Sequence, residues 1–91
     1  MQSILMMILP NGPHCRRALA LLDELRAERP DYAAIPLQIE DESRNKALAD
    51  SLDYWYVPCC FVGGKKLHEG VPSREAMRAV LDAALLDGPK G

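Results

Sequence analysis

The sequence predicts a single α/β domain over residues 1–91, with elements in the order β-α-β-α-β-β-α. Three observations predict this class: a continuous apolar run before a long helical pattern, a second segment of alternating polarity, and two apolar segments joined by a Gly-Gly pair before a last helix. A right-handed crossover makes the first two strands parallel, and the hairpin adds two strands antiparallel to them. We therefore expect a four-stranded mixed sheet with helices on both faces.

Composition narrows the classes of function. The formal net charge is −2 and the basic residues are scattered, so the chain has no basic face for nucleic acid. Its apolar segments are short and interrupted by charge, and the first residues lack the positive flank and cleavage site of a signal peptide. We therefore expect a cytoplasmic protein without a membrane or nucleic-acid partner, which acts on proteins or small molecules.

The first strand and helix follow directly from the pattern. Residues 3–9 form a continuous apolar run that ends at Pro10, which indicates a central strand buried on both faces. A helix from Pro13 to about Arg29 follows, because Pro suits the first turn and Pro30 marks the end. The apolar stripe of this helix is Leu19, Leu21, Leu22 and Leu25.

The second strand is predicted at residues 35–40, with Ile35, Leu37 and Ile39 on one face. A short helix through Leu52 follows it. Its candidate caps are Asp41, Glu42 and Ser43, and its apolar side is Ala47, Leu48 and Leu52.

The last third of the chain predicts a hairpin and a helix. Residues 59–62 and 65–68 flank Gly63-Gly64, and both glycines can adopt a positive φ. Ser73 is the expected N-cap of the last helix. The apolar stripe of this helix is Met77, Val80, Leu81, Ala84 and Leu85, and residues 87–91 are expected to fray.

Cys15 is the first candidate for chemistry. A strand, a Gly-Pro turn and a helix start meet there, so unpaired backbone N–H groups converge near the thiol. Such a position favours negative charge, which predicts a shift of the thiol toward thiolate.

The chain resembles the glutaredoxin-like members of the thioredoxin superfamily. The resemblance covers nearly the whole chain and is carried by the turn at residues 12–15, by Tyr56-Val57-Pro58 before an apolar strand, and by residues 62–66 and Glu69-Gly70. It implies the thioredoxin fold, a cis peptide bond at Val57-Pro58, and a role in cell redox homeostasis. It also implies a substrate-binding surface formed by Gly12, Pro13, His14, Val57 and Pro58, with the backbone of Val57 offered to an extended peptide or to glutathione.

The sequence departs from this family at the reactive position. Gly12 stands where relatives carry the first, attacking cysteine of C-x-x-C, and Cys15 matches the second cysteine. Leu9 replaces the lysine that glutathione-using members usually carry, so we expect no cofactor, with glutathione as a candidate ligand only. Cys59 and Cys60 follow Pro58, and alternation along a strand points one of them toward Cys15. The sequence does not choose between them.

Three functions follow from these residues. The first is thiol-disulfide exchange through Cys15, with Cys59, Cys60 or an external thiol, acting on protein or small-molecule thiols and disulfides. The second is a binding module that has lost catalysis and keeps the groove at Val57-Pro58. The third is a metal site made from the three cysteines and His14, although their spacing matches no standard ligand pattern.

The remaining candidate residues have structural interpretations. Burial as small apolar side chains explains all three cysteines equally simply. We expect His14 and His68 to be exposed, and Tyr54, Trp55 and Tyr56 to form either the core of the proline loop or an exposed surface for a peptide.

Overall fold

A computed structural model describes residues 1–86 and shows an α/β fold. The strands are Ile4–Ile8 (β1), Leu37–Asp41 (β2), Cys59–Val62 (β3) and Lys65–Glu69 (β4). The helices are Pro13–Glu28 (α1), Pro30–Ala33 (α2), Lys46–Ser51 (α3) and Arg74–Leu86 (α4). The tail that was expected to fray, residues 87–91, lies outside the described residues.

The four strands form one mixed sheet in the order β2-β1-β3-β4. β1 is parallel to β2 and antiparallel to β3, and β3 is antiparallel to β4. The prediction of a four-stranded mixed sheet with the first strand inside it is therefore confirmed.

The side chains of β1 alternate between two apolar clusters. Ile4, Met6 and Ile8 face the larger cluster, which α1 and α4 complete. Met7 faces the smaller cluster on the opposite side of the sheet, together with residues of β3 and α3. Burial on both sides of the sheet explains why the apolar run of this strand is continuous.

The hairpin and the last helix are confirmed as predicted. Gly63 and Gly64 have φ values of 59° and 81°, so the turn between β3 and β4 uses the conformation that glycine adopts without strain. Ser73 Oγ accepts a hydrogen bond from the Ala76 N–H at 3.0 Å and caps α4. The predicted stripe of α4 faces the larger cluster.

The prediction was wrong in the segment between α1 and β2. Pro30 ends α1 and also begins the short helix α2, because proline fits the first position of a helix. Arg26 donates hydrogen bonds to the carbonyl groups of Tyr32, Ala33 and Ile35, which stabilises the end of this helix. Ile35 therefore lies before β2, not within it, although it is buried.

The start and the apolar side of α3 also differ from the prediction. Asp41 Oδ1 accepts hydrogen bonds from the N–H and the Oγ–H of Ser43, which forms a turn instead of a helix start. Asn45 is the N-cap, with its side chain accepting the Leu48 N–H at 3.3 Å. The helix begins later than expected, so Ala49 packs against the core and Ala47 is exposed.

Tyr32 joins α2 to α4 inside the larger cluster. Its side chain is fully buried, and its hydroxyl donates a hydrogen bond to Asp82 Oδ1 at 2.5 Å. Arg29 donates to the same hydroxyl at 3.0 Å and lies 4.0 Å from the ring centroid. Through these two hydrogen bonds the Tyr32 hydroxyl connects α2 to α4 and to Arg29, the residue between α1 and α2.

We expect Tyr32→Phe to lower the free energy of unfolding by about 1–2 kcal/mol, because a half-buried carboxylate loses its hydrogen-bond donor. Urea unfolding followed by circular dichroism measures the change. Tyr56→Phe is the matched control, because the Tyr56 side chain is exposed and its loss of a hydroxyl should have little effect. Equal stability of the two variants would contradict a structural role for the Tyr32 hydroxyl.

Candidate functional site

The candidate site begins at the turn between β1 and α1. Gly12 is the N-cap of α1 with an extended backbone, and Pro13 takes the first helical position. The Gly12 N–H donates to the Leu9 carbonyl and the Gly12 carbonyl accepts from the Arg16 N–H, each at 3.0 Å. These bonds fix the turn and place Cys15 in the first turn of the helix.

Cys15 points inward from this turn. Its side chain is only 1% exposed, and its Sγ accepts a hydrogen bond from the Leu9 N–H at 3.4 Å. Burial raises the pKa of the Cys15 thiol above its ordinary value, the Leu9 hydrogen bond opposes this, and the Glu42 carboxylate adds to it. The predicted shift toward thiolate was therefore wrong, because desolvation outweighs the hydrogen bond from Leu9.

Gly12 occupies the place where a disulfide partner of Cys15 would stand. A Cβ atom on Gly12 would lie 4.0 Å from the Cβ and 3.7 Å from the Sγ of Cys15. A Cβ–Cβ distance near 4 Å is typical of disulfide-bonded cysteines. The backbone would thus allow a disulfide bond to Cys15 if residue 12 were a cysteine, and Gly12 supplies no thiol.

The other two cysteines lie on opposite faces of β3. Cys60 pairs with Met6 across the sheet and belongs to the larger cluster, which also contains Cys15. Cys59 pairs with Met7 and belongs to the smaller cluster. The structure therefore brings Cys60, and not Cys59, to the side of the sheet where Cys15 lies.

All three thiols are buried and free of disulfide bonds. Burial raises the pKa of Cys59 to about 12, and the Glu69 carboxylate contributes. Burial likewise raises the pKa of Cys60 to about 12, with smaller contributions from Cys59 and Cys15. At neutral pH these groups are protonated, and a protonated thiol is a poor nucleophile.

The loop before β3 contains the other two predicted binding residues, Val57 and Pro58. The Val57-Pro58 peptide bond is cis, and Pro58 is buried with its carbonyl accepting the Gly70 N–H at 2.9 Å. Val57 is half-buried and packs against both apolar clusters. Within residues 1–86, no hydrogen bond engages the backbone of Val57.

Glu69 holds this loop through its carboxylate. One oxygen accepts the N–H groups of both Trp55 and Tyr56, the latter at 2.9 Å. The other oxygen pairs with Lys66 Nζ at 2.8 Å, and Lys66 also donates to the Asp53 carbonyl at 3.2 Å. The Lys66 ammonium and the two backbone N–H groups lower the pKa of Glu69 to about 2, so the carboxylate is ionised across the physiological range.

The three aromatic residues of the loop have two different environments. Tyr54 packs its ring edge against Phe61 at a centroid distance of 6.3 Å and donates a hydrogen bond to Glu42 Oε1 at 2.5 Å. Trp55 and Tyr56 are 84% and 69% exposed. The choice that the sequence left open is thus resolved: half-buried Tyr54 packs against the smaller cluster, and its two neighbours form an exposed surface.

The histidines differ from one another. His14 is exposed, as predicted, and Pro13 beside it is exposed as well. His68 is half-buried, with Nε2 2.9 Å from the Gly70 carbonyl, so the prediction of an exposed side chain was wrong. In the described part of the chain, no group of three or more His, Cys, Asp or Glu side chains is placed to hold a metal ion. The metal hypothesis gains no support from this arrangement.

Sequence reasoning missed Glu69 and Leu9 as site residues. Leu9 acts through its backbone N–H, which no side-chain pattern reveals. Glu69 contacts residues thirteen and fourteen positions earlier in the chain, and only the hairpin register places it under the loop. The sequence spacing allows an ion pair between Lys66 and Glu69, but it does not show that Glu69 also accepts the N–H groups of Trp55 and Tyr56.

No family model, no curated protein and no solved structure matches this chain. Among the described residues, no helix is long and apolar enough to cross a membrane.

We expect Glu69→Ala to release the loop, because two backbone N–H groups lose their acceptor. The pKa of Glu69 in the folded protein, about 2, lies below the ordinary value, so its contribution to stability is present above about pH 4.3 and is lost as the pH falls toward 2. The difference in free energy of unfolding between wild type and Glu69→Ala should therefore shrink over that range.

Fluorescence of Trp55, the single tryptophan of the chain, reports the local change. Glu69→Ala should change the emission spectrum at pH 7, whereas Glu75→Ala, which removes an exposed carboxylate of α4, should leave it unchanged. An unchanged Trp55 spectrum in Glu69→Ala would contradict the role of the carboxylate.

Proposed function

We propose that this chain is a glutaredoxin-like protein of the thioredoxin fold that binds an extended segment of a partner protein at the Val57-Pro58 loop and does not catalyse thiol-disulfide exchange by itself. The order of strands and helices and the mixed sheet support the fold. The free cysteines are consistent with a reducing, cytoplasmic compartment.

One contrast in exposure carries the proposal. The three thiols are buried, which raises the pKa of each, and Gly12 stands where an attacking thiol is needed. In the loop before β3, by contrast, Trp55 and Tyr56 expose most of their surface to solvent. Burial of the thiols therefore disfavours catalysis by thiolate attack, while the exposed aromatic side chains support a role in recognition.

The chemistry of the loop suits an extended peptide. The backbone of Val57 has a free N–H and a free carbonyl within the described residues, which a strand-like segment can pair with. Trp55 and Tyr56 offer apolar area with a polar edge, and their side chains have few torsions to restrict on binding. Glu69 fixes the two peptide groups before Val57, so this part of the surface is ordered before a partner arrives.

Selection from a displayed library of random peptides tests this function, with reduced wild-type protein as bait. We expect selected peptides to change Trp55 fluorescence and to shift the backbone amide resonance of Val57. Trp55→Ala should weaken binding of a selected peptide by about tenfold or more, since a buried aromatic anchor is typically worth over 1 kcal/mol. Leu67→Ala, at the exposed edge strand β4, is the control and should bind normally. Selected peptides that bind Trp55→Ala as well as wild type would contradict the proposal.

Thiol-disulfide exchange is the second candidate, because Cys15 and Cys60 share one cluster. In this reaction the Cys15 thiolate attacks a substrate disulfide, a mixed disulfide forms, and the leaving sulfur takes a proton. The Cys60 thiolate then attacks Cys15, so that two thiols of this chain are oxidised and one substrate disulfide is reduced. Both thiols must first be deprotonated and exposed, and protein thiols or glutathione would return the pair to the reduced form.

A thiol count after treatment with oxidised glutathione separates the two functions. We expect wild type to keep three free thiols and to react slowly with an alkylating reagent at pH 7, because every thiol is buried. Gly12→Cys is the positive control: it should lose two thiols as the introduced thiol forms a disulfide with Cys15, with two molecules of reduced glutathione released. Rapid loss of the Cys15 and Cys60 thiols in wild type would instead establish the redox function.

A further inference from the structure

Strand β2 presents an open edge with defined hydrogen-bonding groups. The Ile4 N–H donates to the Pro36 carbonyl and the Glu42 N–H donates to the Ile8 carbonyl, each at 2.9 Å. In a parallel ladder, alternate residues of a strand face the neighbour, so Gln38 and Glu40 also point their N–H and carbonyl groups at β1. The backbone N–H and carbonyl groups of the remaining residues point away from the sheet; these residues are Leu37, Ile39 and Asp41.

Most of these outward groups have no partner in the described chain. The Asp41 carbonyl is engaged, because it accepts the N–H groups of Arg44 and Asn45 at 3.0 and 3.1 Å. Within residues 1–86, no hydrogen bond engages the N–H or carbonyl of Leu37 and Ile39, or the N–H of Asp41. The edge therefore offers three donors and two acceptors at known positions.

The side chains of this edge are apolar on one face. Ile39 is 43% exposed and, with half-buried Leu37, lines a groove of about 300 Å³ against α1. The other lining residues are Leu19, Ala20, Leu22, Asp23 and Arg26.

The opposite edge of the sheet is protected in a way that β2 is not. β4 carries the exposed Lys65 and Lys66, and its register with β3 is interrupted between Cys60 and Phe61. Lysines and irregular register are the usual means of preventing edge-to-edge association. β2 has neither lysine nor proline, and it exposes an isoleucine.

We infer that the β2 edge is an interface between two copies of this chain, paired antiparallel about a two-fold axis at Ile39. In this register Ile39 lies opposite the partner's Ile39, and the two residues exchange N–H and carbonyl hydrogen bonds. Each Asp41 N–H meets the partner's Leu37 carbonyl, which is free. The two four-stranded sheets become one continuous sheet.

Side-chain complementarity favours this register. Gln38 lies opposite the partner's Glu40, so an amide donor faces a carboxylate on each side of the axis. Within one chain Gln38 Nε2 already donates to Glu40 Oε2 at 2.8 Å, which holds both groups on the same face. On the other face the two Ile39 side chains meet and cover the ends of both grooves.

Other registers match the residues of β2 less well. Moving the axis to Glu40 places two carboxylates directly opposite one another, which is destabilising. Moving it to Gln38 places Asp41 opposite Ile35, which lies before β2, so the free Asp41 N–H finds no partner within the strand. If the axis lay between two residues, each residue whose N–H and carbonyl groups point away from the sheet would lie opposite a residue whose groups point toward β1. The two copies would then form no ladder of hydrogen bonds. Only the axis at Ile39 uses every residue of β2.

Sedimentation velocity of the full chain over a range of micromolar concentrations tests the interface. We expect a concentration-dependent dimer, and we expect Ile39→Lys to raise its dissociation constant by about tenfold or more, because two lysines would then face each other at the axis. Leu67→Lys, a matched change on the β4 edge, should leave dimerisation unchanged. Circular dichroism confirms that each variant is folded, and Gln38→Glu, which opposes two carboxylates and keeps Ile39, should weaken the dimer as well.

Hydrogen exchange identifies the register in wild type. The Ile39 and Asp41 amides should become protected only as concentration rises, whereas the Gln38 and Glu40 amides, which bond to β1, should be protected at every concentration. A monomer at all concentrations would overturn the inference. A continuing series of larger species, weakened by Leu67→Lys, would also overturn it, because that result indicates β2 pairing with β4 of another copy in an open chain.

Discussion

Strand β1 lies between β2 and β3 and sends its side chains alternately into two separate apolar clusters. The positions of Cys59 and Cys60 depend on that alternation, because β3 pairs with β1 residue by residue. Cys60 shares a cluster with Cys15, and its chain neighbour Cys59 is separated from both by the thickness of the sheet. A one-residue shift of β3 would move Cys59 into the larger cluster and Cys60 into the smaller one. It would also move Phe61 out of the smaller cluster, where its ring is packed. The packing of the core therefore determines which of the two thiols lies on the same side of the sheet as Cys15.

The site combines two ways of holding an irregular backbone. The turn before α1 is held by neutral hydrogen bonds between Leu9, Gly12 and Arg16, and by burial of Cys15. The loop before β3 is held by one carboxylate, that of Glu69, which reaches two backbone N–H groups. An ionised acceptor makes stronger hydrogen bonds than a neutral one, so a single edge-strand residue replaces the regular ladder that this loop lacks.

The sequence predicted those parts of the fold whose signals are long or specific. The stripe of α4, the Gly63-Gly64 turn and the buried run of β1 were each identified with nearly correct bounds. The four residues of α2 were missed because so short a segment has no measurable period, and the start of α3 was misplaced because Asp41 forms a turn with Ser43 instead of capping. The protonation of Cys15 was not predictable, since its pKa depends on burial by elements distant in sequence.

The backbone at Gly12 has an evolutionary consequence. A Cβ at this position fits the distance that a bond to Cys15 requires, with only the Leu9 carbonyl oxygen, at 3.3 Å, close enough to need a small adjustment. Two of the four glycine codons, GGT and GGC, become the cysteine codons TGT and TGC by one base change. A dithiol form of this chain therefore differs from it by one residue, at a position where the scaffold needs only a small adjustment. Selection can gain or lose the reactive pair without rebuilding the fold around it.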